Sequence, residues 1–163
     1  MNRSGFTLLE LLAVVGILSF ILIAVTQLLA GTLAGSGKSN SLQLVKQNGQ
    51  FALSTMSRLV KLARSVTTCA GSDLQFVVSE SGSDVSYRFD LNSNRLRKTR
   101  AGQASWVTEN NVAVNSFTCA LTSGSAGTPA VVDLRLTISK PGLSVENSVV
   151  NTTFNTSVSL RTY

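Results

Sequence analysis

Glu10 follows Phe6-Thr7-Leu8-Leu9 and stands at the head of an apolar run that carries no further charge until Lys38. A carboxylate in a membrane-spanning helix costs on the order of 2.5 to 3.5 kcal/mol at the centre and less near the end, so an acid here needs a partner or a task. The other side chains with chemistry of their own are Cys69 and Cys119. They lie 50 positions apart without CxxC spacing, which suggests neither a zinc site nor a thioredoxin-like motif. A disulfide on an exported domain is their simplest use, since no third thiol competes. The chain has no histidine, hence no commonest general base or metal ligand, and no serine has a visible activating base. These features argue against an enzyme and against a cofactor or metal.

Two further clusters have a bland and a sharp reading. Asp90, Asn92 and Asn94 begin like a calcium loop, but Arg95 replaces the turn glycine and Ala101 stands where a bidentate Glu belongs. Short polar residues of this kind also suit a hairpin turn. Arg95, Arg97, Lys98 and Arg100, with Arg88 across that hairpin and Trp106 nearby, form a basic run. It could meet DNA phosphates or another anion, or guard a sheet edge against pairing with other chains. The net charge of +6 reflects only eight acids rather than abundant Lys and Arg, which weakens a nucleic-acid reading from charge alone. Asn151-Thr152-Thr153 and Asn155-Thr156-Ser157 match the glycosylation pattern but read as surface strand.

The element that must position Glu10 is long. Leu11 to Ala34 spans 24 residues, about 36 Å as a helix, enough to cross a bilayer core of roughly 30 Å. A secretory signal peptide would need an uninterrupted and shorter apolar core, and a plain signal anchor has no use for the acid. Gly5-Phe6-Thr7-Leu8-Leu9-Glu10-Leu11-Leu12, behind Met1 to Ser4, resembles the processing signature of type IV prepilins and type II secretion pseudopilins.

The resemblance implies an α+β, pilin-like fold in which a long N-terminal helix continues into a soluble domain and packs against an antiparallel sheet. A prepilin peptidase is expected to cut after Gly5, removing a leader of residues 1–5, and to methylate the new amine on Phe6. Glu10 is expected to pair with the Phe6 amine of a neighbouring subunit, an attraction that apolar surroundings screen poorly. The implied location is the bacterial inner membrane, single-pass, with the globular domain in the periplasm or outside, followed by a pilus or pseudopilus built with other pilins. Phe51, Met56, Arg58 and Leu59, then Tyr87-Arg88-Phe89 and Asn94-Arg95-Leu96-Arg97, resemble J-type minor pseudopilins and their pilus relatives. Major type IVa pilins usually enclose a C-terminal loop by a disulfide and carry a proline in the anchor. Here the last 44 residues hold no cysteine, and the anchor has no proline. The function so implied is a minor subunit that helps initiate or cap a pilus or pseudopilus; the alternative is a tip adhesin or a DNA-binding subunit of an uptake pilus, acting through the basic hairpin.

Residues 6–36 are then the transmembrane and assembly half of the helix, 37–68 its amphipathic half, and 69–163 a β-rich globular domain. Gly31, Gly35 and Gly37 cost up to about 1 kcal/mol each in a helix, which predicts a hinge or a melted turn. Leu42, Val45, Gly49, Ala52, Met56, Leu59, Ala63 and Val66 follow in steps of three and four and predict one buried helical face. Beyond Thr68 the period changes to two: Val85 to Leu91 and Val132 to Ile138 read as strands, Leu74 to Val78 and Ser157 to Leu160 as shorter ones. Asp90 to Asn94 reads as a hairpin turn, Ser123 to Pro129 as a loop and Lys140-Pro141-Gly142 as a turn.

Overall fold

The computed structural model describes residues 7–125, 128–141 and 149–160. Helix α1 (Leu8–Lys61) is followed by strands β1 (Ala63–Gly71), β2 (Asp73–Glu80), β3 (Ser83–Asn92), β4 (Arg95–Arg100), β5 (Gln103–Trp106), β6 (Ala113–Thr122), β7 (Val131–Lys140) and β8 (Val149–Ser159). A helix feeding an antiparallel sheet is an α+β architecture, as the switch of hydrophobic period implies. The chain divides into two compact units, one ending at Gly37 and one running from Lys38.

In the first unit the apolar side chains of α1 face outward, Leu8 at 83% and Phe20 at 76% exposure. The segment is long and apolar enough to cross a membrane. Its hydroxyls bond back to the helix: Ser19 Oγ to the Val15 carbonyl at 2.8 Å, Thr26 Oγ1 to Ile23 at 2.8 Å and Thr32 Oγ1 to Leu29 at 2.9 Å. An unpaired hydroxyl in hydrocarbon costs several kcal/mol, so these bonds let polar residues lie within the run. Contrary to the expected melted turn, the backbone stays helical through Gly31, Gly35 and Gly37. Helix propagation is cooperative, and these three closely spaced glycines do not stop it.

In the second unit the buried face of α1 is Ser41, Val45, Asn48, Gly49, Ala52, Leu53, Met56 and Val60. Leu42, expected on this face, is exposed, and Leu59 is only partly buried. The helix ends at Lys61, not Thr68, with Leu62 N–H closing a tight last turn on the Leu59 carbonyl at 3.1 Å. Ala63 and Val66 continue the helical spacing but belong to β1, whose β-branched Val66-Thr67-Thr68 favours strand. Irregularities in the β1–β2 ladder, between Ala63 and Ser65 and between Val66 and Thr68, break the period of two and so imitate a step of three.

The sheet has the order β5-β4-β3-β2-β1-β6-β7-β8. Short turns link β1 through β5 into a meander, and the three two-residue turns have positive φ at both positions: Ser81-Gly82, Ser93-Asn94 and Ala101-Gly102. That geometry matches the right-handed twist of the flanking strands. The turn expected over Asp90 to Asn94 is therefore only Ser93-Asn94, since Asp90 and Asn92 are paired strand residues. The short strand read at Ser157 to Leu160 is the end of the much longer β8, and the proposed turn at Lys140-Pro141-Gly142 and loop at Ser123 to Pro129 each lie partly outside the described residues. One core joins helix and sheet, with Val45, Ala52, Met56 and Val60 against Phe76, Phe89, Phe117, Leu134, Leu136 and Ile138. Gly49 permits a close approach: an added Cβ would overlap the Phe154 ring of β8.

The sheet has a weak seam. β2 pairs with β3 over eight positions, yet β1 meets β6 only at Ala70↔Ala120 and Gly71↔Cys119. The Cys69–Cys119 disulfide, with Cα atoms 5.3 Å apart, crosses that junction. A second tie is the segment from Val107 to Val112. Val107 N–H bonds to the Leu96 carbonyl at 2.9 Å, Leu96 N–H to Thr108 Oγ1 at 3.1 Å, and Val114 N–H to the Asn94 carbonyl at 2.7 Å. Buried Asn48 fastens this segment to α1: its Oδ1 accepts from Glu109 N–H at 3.0 Å while its Nδ2 donates to the Leu44 carbonyl at 3.1 Å.

Candidate functional site

Thr7 and Glu10 form the start of α1. Thr7 Oγ1 accepts from Glu10 N–H at 3.3 Å, and the Thr7 carbonyl accepts from the backbone N–H of Glu10 and Leu11 at 3.1 and 3.2 Å. Thr7-x-x-Glu10 is the sequence pattern of a capping box, with an acid in the first turn facing the positive end of the helix dipole. Sequence reasoning treated Glu10 as a membrane charge and missed that Thr7 Oγ1 caps its backbone N–H, although the Thr-x-x-Glu spacing carries the signal. Glu10 is exposed. The two processing residues, Gly5 and Phe6, lie outside the described residues.

The basic cluster is held together by its own neighbours. On the outer face of the sheet Arg88 Nε pairs with Asp73 at 2.9 Å and Arg97 Nη2 with Asp90 at 2.6 Å. Arg95 lies 4.4 Å from the centre of the Trp106 ring and donates from Nη2 to the Thr108 carbonyl at 2.8 Å. At the rim of the core Arg100 pairs with Glu80 and donates from Nε to the Tyr87 hydroxyl at 2.9 Å, while that hydroxyl bonds to Glu80. Lys98 takes no part in these pairs. The structure thus brings the five basic residues together on two adjacent strands and commits four of them to cross-strand contacts.

The electrostatics follow from those pairs. The Arg100 guanidinium, then the Tyr87 hydroxyl, hold the Glu80 carboxyl below its ordinary range. Burial, then the hydrogen bond to Glu80, pushes the Tyr87 phenol up. The carboxylates of Asp90 and Glu80 raise Arg97 and Arg100 in turn. These shifts keep the Glu80 carboxylate and the Arg97 and Arg100 guanidinium groups charged and the Tyr87 phenol neutral, which is what structural cross-strand pairs need.

Residues 1–26 match the family model described as the prokaryotic N-terminal methylation motif. A helix that starts on a capped, acid-bearing turn, presents an apolar surface throughout its first unit and leads into an antiparallel sheet defines the α+β, pilin-like class. The motif match supports a type IV pilin-like protein, and implies processing by a prepilin peptidase, membrane anchoring and assembly with other pilins. No curated protein and no solved structure matches the chain.

Proposed function

We propose that the chain is a minor pilin or minor pseudopilin that helps initiate or cap its filament after cleavage between Gly5 and Phe6 and methylation of the Phe6 amine. The observation that carries this is the methylation motif over residues 1–26, continuous with an apolar helix whose first turn holds Glu10. A leader of residues 1–5, a membrane segment up to residue 36 and a single pass with the sheet domain in the periplasm or outside belong to the same reading. Glu10 is its assembly residue, the partner of a neighbour's Phe6 amine. A minor rather than a major subunit is favoured by the cysteines, which staple the middle of the sheet and enclose no C-terminal loop. The rival, a DNA-capturing tip subunit, is disfavoured because four of its five cations are already engaged.

Intact mass of the protein extracted from membranes tests the processing. The expected mass is that of the chain without residues 1–5 and with one methyl group added to the Phe6 amine. An N-terminus near Ala34 or Gly35 would return the chain to the conventionally secreted proteins. Quantifying the subunit in sheared filaments tests "minor": it should be sparse relative to the principal subunit.

A further inference from the structure

Gln27 is the polar side chain of the apolar run that the helix itself does not satisfy. Ser19, Thr26 and Thr32 return their hydroxyls to carbonyls one turn back, whereas among the described residues the Gln27 amide, which can both donate and accept, has no partner. It stands about 7 Å from the middle of the run Leu11 to Ala34 at 1.5 Å per residue, well inside the roughly 15 Å half-thickness of a bilayer core. Water is excluded at that depth, and an unpaired amide there costs several kcal/mol. A polar group in that place calls for a partner on another helix.

Three glycines of the same segment also lack an explanation within the chain. Gly49 makes room for Phe154, and Gly71, Gly82 and Gly102 have positive φ, but Gly16, Gly31 and Gly35 are helical with nothing within 4 Å of the Cβ that each lacks. Each gives up as much as about 1 kcal/mol of helix propensity without a close contact inside the molecule. At about 100° per residue, Ala24, Gln27, Gly31 and Gly35 fall within an arc of about 80°, so the amide and the small residues share one side of α1. Gly31-x-x-x-Gly35 in an apolar run is the pattern that lets two membrane helices approach backbone to backbone. Phe20 lies on the same side about 16 Å from Gly31, and helices that cross at such a motif by about 40° have diverged by then.

We propose that Gln27, Gly31 and Gly35 form a contact through which α1 pairs in the membrane with α1 of a second copy of this chain, parallel and in register, the two Gln27 amides exchanging hydrogen bonds. The inference rests on the reading of residues 6–36 as a membrane segment and goes beyond it by naming the partner. Two features select a second copy. Copies inserted in one orientation hold residue 27 at one depth, so the bilayer, and not a choice of register, sets amide against amide and glycine against glycine. An amide both donates and accepts, so two of them satisfy each other, where a helix apolar at that depth would leave Gln27 unpaired. No charge opposes the pairing, since the chain has none from Leu11 to Gly37.

The test uses the full-length chain alone in lipid vesicles, with Ala24→Cys on the proposed face as the probe. Leu22→Cys, at nearly the same depth and about 160° round α1, is the control. Flotation with the vesicles checks insertion, and one free thiol per chain under denaturing conditions shows that Cys69–Cys119 has stayed closed. Mild oxidation is expected to link Ala24→Cys into a dimer several-fold faster than Leu22→Cys. Gln27→Leu removes the amide from a helix that then inserts at least as readily, and Gly31→Ile sets a branched side chain between the backbones. Each, added to Ala24→Cys, is expected to weaken the pairing about tenfold, the factor that roughly 1.4 kcal/mol carries. A chain that stays out of the vesicles would overturn the membrane reading and this contact with it. An inserted chain that links equally from both faces, or whose pairing is indifferent to Gln27→Leu and Gly31→Ile, would overturn the pairing alone.

Discussion

Ala101 turns the chain between β4 and β5 at φ 48°, a left-handed conformation that strains any residue with a Cβ. Gly102 beside it, at φ 85°, carries no such strain. Relief of the left-handed strain, less the extra entropy glycine loses on folding, leaves a net gain. Ala101→Gly is therefore expected to stabilise the domain by about 0.5 to 1 kcal/mol, read as a higher denaturant midpoint at unchanged slope. The Glu80–Arg100–Tyr87 cluster gives a pH signature at the same scale. Glu80 titrates below its ordinary value because Arg100, and then Tyr87, bond its carboxylate. A carboxyl lowered by folding contributes stability above its unfolded pKa of about 4.3, and that contribution is lost as pH falls through the folded value. Glu80→Gln should consequently lower the melting temperature at pH 6 to 7, with the deficit closing below about pH 4. A deficit constant from pH 7 to pH 3 would show that the lost contact acts through packing and not through the charge.

At the scale of elements, Gly49 decides how closely α1 lies on β8. Alanine normally gains up to about 1 kcal/mol over glycine in a helix. At Gly49 its Cβ would overlap the Phe154 ring, and overpacking of this kind costs about 1 to 3 kcal/mol. Gly49→Ala should thus destabilise the domain, and much less so in a Phe154→Ala background, a coupling that a double-mutant cycle measures. The helical stripe pointed to Gly49 as a buried position but not to the ring that covers it, since Phe154 arrives from more than a hundred residues downstream. Elements with near-regular alternation were legible in the same way: β3 buries Tyr87 and Phe89 on either side of exposed Arg88, and β7 buries Val132, Leu134 and Leu136 around exposed Asp133 and Arg135. β1 was not legible, because its irregular ladder carries the spacing of the helix before it. β6 was hidden by Asn115-Ser116, where its register with β7 shifts, and most of β8 by its lack of apolar residues. Of the candidate site, the Thr7–Glu10 spacing was visible as residues and not as a cap, while the basic run was visible as charge without the acids that face it. Those acids come from β2 and β3, and cross-strand register is not written in any short window of sequence.

Across the whole molecule, the sheet and the helix make separate demands. The sheet depends on its seam: closing a loop between residues 50 apart stabilises by roughly 4 kcal/mol on the chain-entropy account, and here the bond also sits on a junction of only two residue pairs. Replacing Cys69 and Cys119 by Ser should speed amide exchange at Ala70, Gly71 and Ala120 well before it does so in the β2–β3 ladder. Uniform acceleration would mean that the sheet opens as one unit. Glu10 has two proposed roles to separate. As the fourth member of Thr7-x-x-Glu10 it belongs to a helix cap, and as a carboxylate it is the proposed partner of a neighbour's amine. Glutamine keeps the first role, because Gln serves at that capping position as Glu does, and abolishes the second. Thr7→Ala does the reverse, removing the Oγ1 that accepts from Glu10 N–H at a cost of about 1 kcal/mol while leaving the charge. If Glu10 works by its charge, Glu10→Gln should insert and be processed normally yet lose incorporation beside other subunits, because the buried amine is left without its counterion. Thr7→Ala should incorporate nearly as well as the parent. Crosslinking to other pilins, compared at equal amounts of processed protein, measures both. Full incorporation of Glu10→Gln, together with failure of Thr7→Ala, would assign Glu10 to the cap and withdraw the pairing with Phe6.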